Sequence, residues 1–136
     1  MRRSDAMKLG YVIVYVDNVA ATIDFYGRAF GLTKRFVDDT GRYGELDTGS
    51  TVLAFAANEL ARELLKDGYH RTDLNDKPLG MEIALVTEDV PAAVEKAVRE
   101  GAVLIAEPKA KPWGQVVAYV RAPEGTLVEI CTPIGG

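Results

Sequence analysis

The chain has 136 residues, 48% of them apolar and 26% charged, which suits one globular domain or two small halves sharing one core. Lys+Arg is 16 and Asp+Glu is 20, so the net charge is 16 − 20 = −4. With no basic cluster, nucleic acid is excluded as the main partner. Arg2, Arg3 and Lys8 read as an exposed start. No apolar run approaches the roughly 20 residues that cross a bilayer, and the first residues lack a signal-peptide core, so no membrane contact and a cytoplasmic location are expected. The single Cys131 excludes an intrachain disulfide and any multi-cysteine zinc site. The single His70 excludes sites that need two histidines from one chain.

In chain order, Tyr11 to Val16 is β-branched and aromatic, hence a strand. Asp17 or Asn18 caps a helix that carries Ile23, Phe25, Tyr26 and Phe30 and closes at Gly31. Lys34 to Val37, Tyr43 to Asp47 and Thr51 to Ala56 are strands, the last two joined at Thr48-Gly49-Ser50. Asn58 caps a short helix, Glu59 to Lys66. The polar stretch Arg71 to Pro78 is a loop, with Asp73 to Lys77 solvated, and serves as linker and flap.

The pattern then recurs. Met81 to Val86 is a strand. Glu88 or Asp89 caps a helix that ends at Gly101. Val103 to Ala106, Gln115 to Arg121 and Thr126 to Thr132 are strands, with a turn at Ala122 to Gly125. Val19 matches Val90, and Ile23 matches Val94, at a shift of 71; Thr51, Leu53 and Phe55 match Thr126, Val128 and Ile130 at a shift of 75. This predicts an α+β fold of two tandem βαβββ modules, at about 8–57 and 80–133, with a linker at 58–79.

A four-stranded sheet with one helix leaves its other face open, and two open faces can enclose a shared cleft. Alternation assigns the faces. Val12, Val14 and Val16 point to the helix; Tyr11, Ile13 and Tyr15 point to the cleft. Ile83, Leu85, Val128 and Ile130 point to the helix; Glu82, Ala84, Val86, Leu127, Glu129 and Cys131 point to the cleft, as do Val52, Ala54 and Ala56.

Val14 to Leu32 (V-x-V-x-D-N-V-x-x-x-I-D-F-Y-x-x-x-F-G-L) and Ala122 to Ile130 (A-P-E-G-T-L-V-E-I) resemble the vicinal oxygen chelate superfamily, which holds glyoxalase I, bleomycin-resistance proteins and extradiol dioxygenases. The likeness runs from Lys8 to Pro133. It implies fold more than function, because the family spans lyases, epimerases, dioxygenases, thiol transferases and drug binders. By the resemblance, four strand positions hold a metal in the family's enzymes. They fall on Tyr11, Ala54, Glu82 and Glu129, and only Glu129 carries the family's residue type. Two carboxylates hold Mg²⁺ or Ca²⁺ weakly, so no cofactor is expected, with a divalent metal on Glu82 and Glu129 as the alternative.

Glu82 and Glu129 are the candidate catalytic acids: two carboxylates in one cavity repel, and one is held protonated above its ordinary range. Tyr11, Tyr15, Ala54, Trp113 and Gln115 join them as candidate ligand-binding residues. Trp113 sits in a Pro/Gly loop where an indole can stack on a planar or cationic ligand. Cys131 reads as a buried thiol and His70 as a surface residue. Two readings follow: a binding protein for a small cationic or aromatic ligand, and a glyoxalase-type lyase or isomerase using a metal or a glutamate base. By the resemblance a homodimer is the expected assembly. Pairing of the modules within or between chains is left open.

Overall fold

The computed structural model describes residues 6–135; Arg2 and Arg3 lie outside the described residues. β1 (Tyr11–Val16) leads into α1 (Val19–Phe30), then β2 (Thr33–Val37), β3 (Tyr43–Asp47) and β4 (Val52–Ala57). A short α2 (Asn58–Leu64) and the linker follow. The second unit is β5 (Ile83–Val86), α3 (Val90–Arg99), β6 (Val103–Ala110), β7 (Val116–Arg121) and β8 (Leu127–Cys131). The sheets have matching orders, β1-β4-β3-β2 and β5-β8-β7-β6. In each, the first strand runs parallel to the last and the remaining pairs are antiparallel. The repeat is therefore structural as well as sequential. No helix is long and apolar enough to cross a membrane.

Local chemistry places both main helices. The Asn18 side chain accepts from the Ala21 N–H, and Gly31, at φ 71, ends α1 in the left-handed conformation open to glycine. Asp89 caps α3 through the Ala92 N–H. Asn58 does not cap α2. It is buried: its amide nitrogen donates to Asp17 (2.8 Å), and its oxygen accepts from the Tyr69 hydroxyl.

The strand alternation holds. Val16, Val128 and Ile130 are buried on the helix side, Val12, Val14, Ile83 and Leu85 pack partly against the core, and Tyr11, Ile13 and Val86 are exposed on the other side. One hydrophobic cluster draws on both modules, from Ile23, Tyr26 and Phe55 to Val94, Val120 and Ile130. The modules meet through their helices: α1 packs on α3, and Arg28 of α1 is bonded to Asp24 and to Glu100 at the end of α3. Hence the open faces of the two sheets do not enclose a cleft within one chain. The helices that cover the opposite faces lie between the sheets, and on the open faces Tyr11, Ile13 and Val86 are exposed while Ala54, Ala56 and Cys131 are buried among their neighbours.

The linker is no free flap. Tyr69 stacks on Tyr15 at 5.4 Å, and Arg71 pairs with Asp17 at 3.1 Å. At the other end, the buried Arg121 guanidinium donates to the carbonyls of Asp73 (2.9 Å) and Asp76 (3.0 Å), and to its own turn at Gly125 (2.7 Å). The segment expected to be only solvated loop is thus a strap joining the modules, held by its backbone while its side chains remain largely in water.

Tyr26, with no exposed surface, donates to Glu124 at 2.7 Å across the module junction. Burial, more than any other influence, holds the Glu124 carboxyl above its ordinary range; the Tyr26 hydroxyl and the nearby Thr126 hydroxyl pull it partly back. Glu124 Oε1 and Thr126 Oγ1 are buried without a hydrogen-bond partner among the described residues. An acid whose folded pKa is raised contributes stability below its unfolded pKa and loses that contribution as pH rises through the folded value. Glu124→Gln keeps an acceptor for Tyr26 and removes the buried charge. Its stability relative to the parent is expected to improve from pH 4 to pH 7, whereas Glu124→Ala is expected to lose about 1–3 kcal/mol at pH 7 by stranding the Tyr26 hydroxyl. Urea melts at both pH values check this.

Candidate functional site

Glu129 sits on β8, the strand that lies between β5 and β7, opposite Ala84 on one side and Tyr119 on the other. All three positions have open-face parity. The Tyr119 hydroxyl donates to Glu129 at 3.1 Å. Glu82, one residue before β5, brings a second carboxyl to the same place. Partial burial, then a hydrogen bond and like-charge repulsion with Glu129, hold Glu82 above the usual carboxylate range. The same acids push the Tyr119 phenol up: burial first, then the Glu129 bond and the charges of Glu129 and Glu82. The sheet therefore presents two acids and a phenol as one cluster.

Cys131 shares this face, buried, with its thiol directed to the Leu85 carbonyl at 3.8 Å. Burial first, then Glu129 and Glu82, push its thiol up to about 11. At pH 8 so little thiolate exists that labelling by a disulfide reagent is expected to run about two orders of magnitude slower than for a free thiol. Because Glu129 contributes to the shift, Glu129→Gln is expected to speed that labelling. Stopped-flow absorbance in native buffer and in denaturant checks both.

The remaining candidates distribute unevenly. Tyr11, Tyr15 and Ala54 belong to the open face of the first sheet, away from the two acids. Tyr11 is 56% exposed, but Tyr15 is stacked on by the strap. Ala54 has no exposed surface: Ile13 flanks it on β1 and Glu45 on β3, so it is floor rather than contact. Gln115 is buried and both ends of its amide are engaged, the oxygen by Trp113 Nε1 (2.7 Å) and the nitrogen by the Thr132 carbonyl (2.7 Å). Gln115 thereby positions Trp113, whose ring remains 62% exposed in the β6–β7 loop. His70 is exposed.

Two residues were not singled out from the sequence. Tyr119 is one; counting back from the Ala122–Gly125 turn places it opposite Glu129, so the signal was present. Glu45 is the other, 8% exposed on the first open face, bonded by the Tyr43 hydroxyl (2.7 Å) and paired with Arg35 (3.6 Å). It lies opposite Ala54, so the acid of the first sheet stands on β3 where that of the second stands on β8.

The model of the Glyoxalase/Bleomycin resistance protein/Dioxygenase superfamily matches residues 8–130. The chain belongs to this superfamily. Among solved structures, a glyoxalase-related enzyme from Fulvimarina pelagi is 23% identical with a TM-score of 0.77, covering 94% of this chain and 89% of that one. A family enzyme from Burkholderia phytofirmans PsJN is 25% identical with a TM-score of 0.76, covering 93% and 98%. TioX from Micromonospora sp. ML1 is 19% identical with a TM-score of 0.66, covering 93% and 98%. No curated protein matches the sequence.

The donor set does not fit the superfamily's four-ligand metal site. Ala54 offers no donor atom, and Tyr11 offers a phenol, a poor ligand for a divalent cation. Among the described residues, no three or more His, Cys, Asp or Glu side chains are grouped to hold a metal ion. Glu82 and Glu129 alone supply part of a coordination sphere, of the kind that suits oxygen-loving cations weakly.

Proposed function

We propose that this superfamily member binds a small organic ligand carrying a cationic or aromatic group, on the open face that holds Glu82 and Glu129. The observation that carries this reading is the acid pair itself. Two carboxyls on one apolar sheet, with a phenol bonded to one of them, form a pre-organised acceptor for an ammonium or amidinium group. Tyr119 orients Glu129, and the exposed Trp113 ring offers a stacking surface.

The open faces also bear on assembly. Tyr11 and Ile13 on one sheet and Val86 on the other are exposed apolar positions in strands. Setting the first face of one copy against the second face of another buries them and roofs the acid pair, so a homodimer with two such clefts is part of the proposal.

A second reading has its own support. Glu82 is held above its ordinary range beside Glu129, so its carboxyl keeps a proton to higher pH than an isolated glutamate. That arrangement suits metal-free proton transfer in a lyase or isomerase, with one glutamate as base.

A thermal-shift titration of chelator-treated protein tests these readings. Benzamidine and phenethylamine are expected to raise the melting temperature saturably. A rise with Ni²⁺, Zn²⁺, Mn²⁺ or Mg²⁺ that disappears in Glu129→Gln, and none with the amines, would replace the binding reading with a metal-dependent one. Sedimentation velocity of the same sample should give a two-chain species; a monomer at micromolar concentration sinks the dimer.

A further inference from the structure

The repeat makes two related grooves beside the helices, and the strap forms a wall of only one of them. The first lies between α1, the Asp17–Asn18 turn that precedes it and the β7–β8 turn. Strap residues Arg71 to Asp73 run along it beside Thr22, Phe25 and Pro123. They are held by Asp17 and Arg121, and Gly125 lies so close that a methyl group there would stand 2.6 Å from the Asp73 backbone.

The second groove lies between α3, the free edge of β5 and the β3–β4 turn. Three of its residues are repeat counterparts of the first: Ala93 for Thr22 and Lys96 for Phe25 at the shift of 71, and Thr48 for Pro123 at the shift of 75. No strap residue lines it; its volume is about 390 Å³, against about 370 Å³ for the first.

The two grooves differ in chemistry. The first is lined by charges of both signs, Asp17, Asp73, Glu100 and Glu124 with Arg28 and Arg71. The second contains no acid; Phe30, Leu32, Leu85 and Ala93 form its apolar wall, each only partly buried. Its one charged lining residue is Lys96, exposed and with no hydrogen bond or ion pair among the described residues. An apolar trough with a lone ammonium at its rim suits a molecule with an apolar body and an anionic head.

We propose that this second groove is a binding site for a small apolar carboxylate, independent of the acid pair on the open face. The apolar chain covers Phe30, Leu32 and Leu85, and the carboxylate meets Lys96. Because the groove lies at the junction of the two modules, its occupant bears on both.

Hexanoate and hexylamine, titrated into the ¹⁵N-labelled full chain and followed by amide chemical shifts, test the assignment. Hexanoate is expected to give saturable shifts at Leu32, Leu85 and Ala93, and hexylamine none there. Lys96→Glu reverses an exposed charge and is expected to weaken hexanoate about tenfold, the loss of one charge-assisted contact. Ala93→Leu, a helix-compatible change that fills the trough, is expected to abolish binding. Equal binding of both probes, shifts confined to the open sheet faces, no saturable shift, or indifference to Lys96→Glu overturns the proposal.

Discussion

Arg121→Met is expected to lower stability by about 3 kcal/mol or more, because it removes three buried hydrogen bonds and leaves their carbonyls without donors. For a chain of this size that corresponds to roughly 10 °C in melting temperature. The side chain is 5% exposed and spends its donors on the carbonyls of Gly125, Asp73 and Asp76 rather than on a carboxylate. Its role is to fasten the strap to the second module, so the loss should appear as strap opening as well as lower overall stability. Hydrogen exchange at the amides of Asn75 and Asp76 should accelerate, and protease cleavage should fall between Arg71 and Lys77.

Gly125→Ala attacks the same junction without touching Arg121. Gly125 has φ 109, where a side chain is strained, and the added carbon would lie 2.6–2.8 Å from the backbone of Asp73 and Leu74. A comparable loss is expected, and the double variant should cost less than the sum, since both release one contact. Calorimetry on the two single variants and the double checks this. A near-zero effect of Arg121→Met would show that the strap is held by Tyr69 and Arg71 alone.

Glu129→Gln is expected to weaken a cationic aromatic ligand such as benzamidine about 10- to 100-fold, with little change in melting temperature of the free protein. The substitution retains an acceptor for Tyr119 and removes the charge. The pH dependence is the sharper readout. The ammonium or amidinium group needs ionised carboxyls, and Glu82 is held above its ordinary value, by partial burial and then by Glu129. Affinity should therefore fall as pH drops through that raised value, at a higher pH than a lone surface carboxylate would give. In Glu129→Gln the repulsion is gone, so the residual pH dependence should move to lower pH. Isothermal titration calorimetry between pH 4.5 and 8 measures both. A parent affinity independent of pH, or a shift of the midpoint upward in the variant, would refute the role assigned to the pair.

The strand and helix pattern is legible in the amino-acid sequence because local chemistry sets it. Asn18, Gly31 and Asp89 punctuate the helices by their own hydrogen bonds and backbone freedom. Alternation sorts Val128 and Ile130 to the core and Glu129 to the open face, because side chains of a strand point to opposite sides whatever lies beyond. The duplicated order follows from the same signals read twice. Strand ends move where pairing runs out: β5 begins at Ile83, so Glu82 precedes it, and β6 continues to Ala110 along β7.

Contacts distant in sequence are not legible in this way. Asn58 carries a capping side chain, yet Asp17 and Tyr69 engage it, and nothing local signals either partner. Gln115 has the chemistry of a ligand contact and is used up on Trp113 and Thr132. The polar linker reads as a solvated loop because its side chains are polar; it is anchored through backbone carbonyls, which every residue possesses and no sequence pattern displays. The facing of the modules is decided in the same way. Each sheet has one covered and one open face in either arrangement, so the alternation is the same; only the packing of α1 on α3 turns the open faces apart and puts Tyr11 and Glu129 on separate surfaces of one chain.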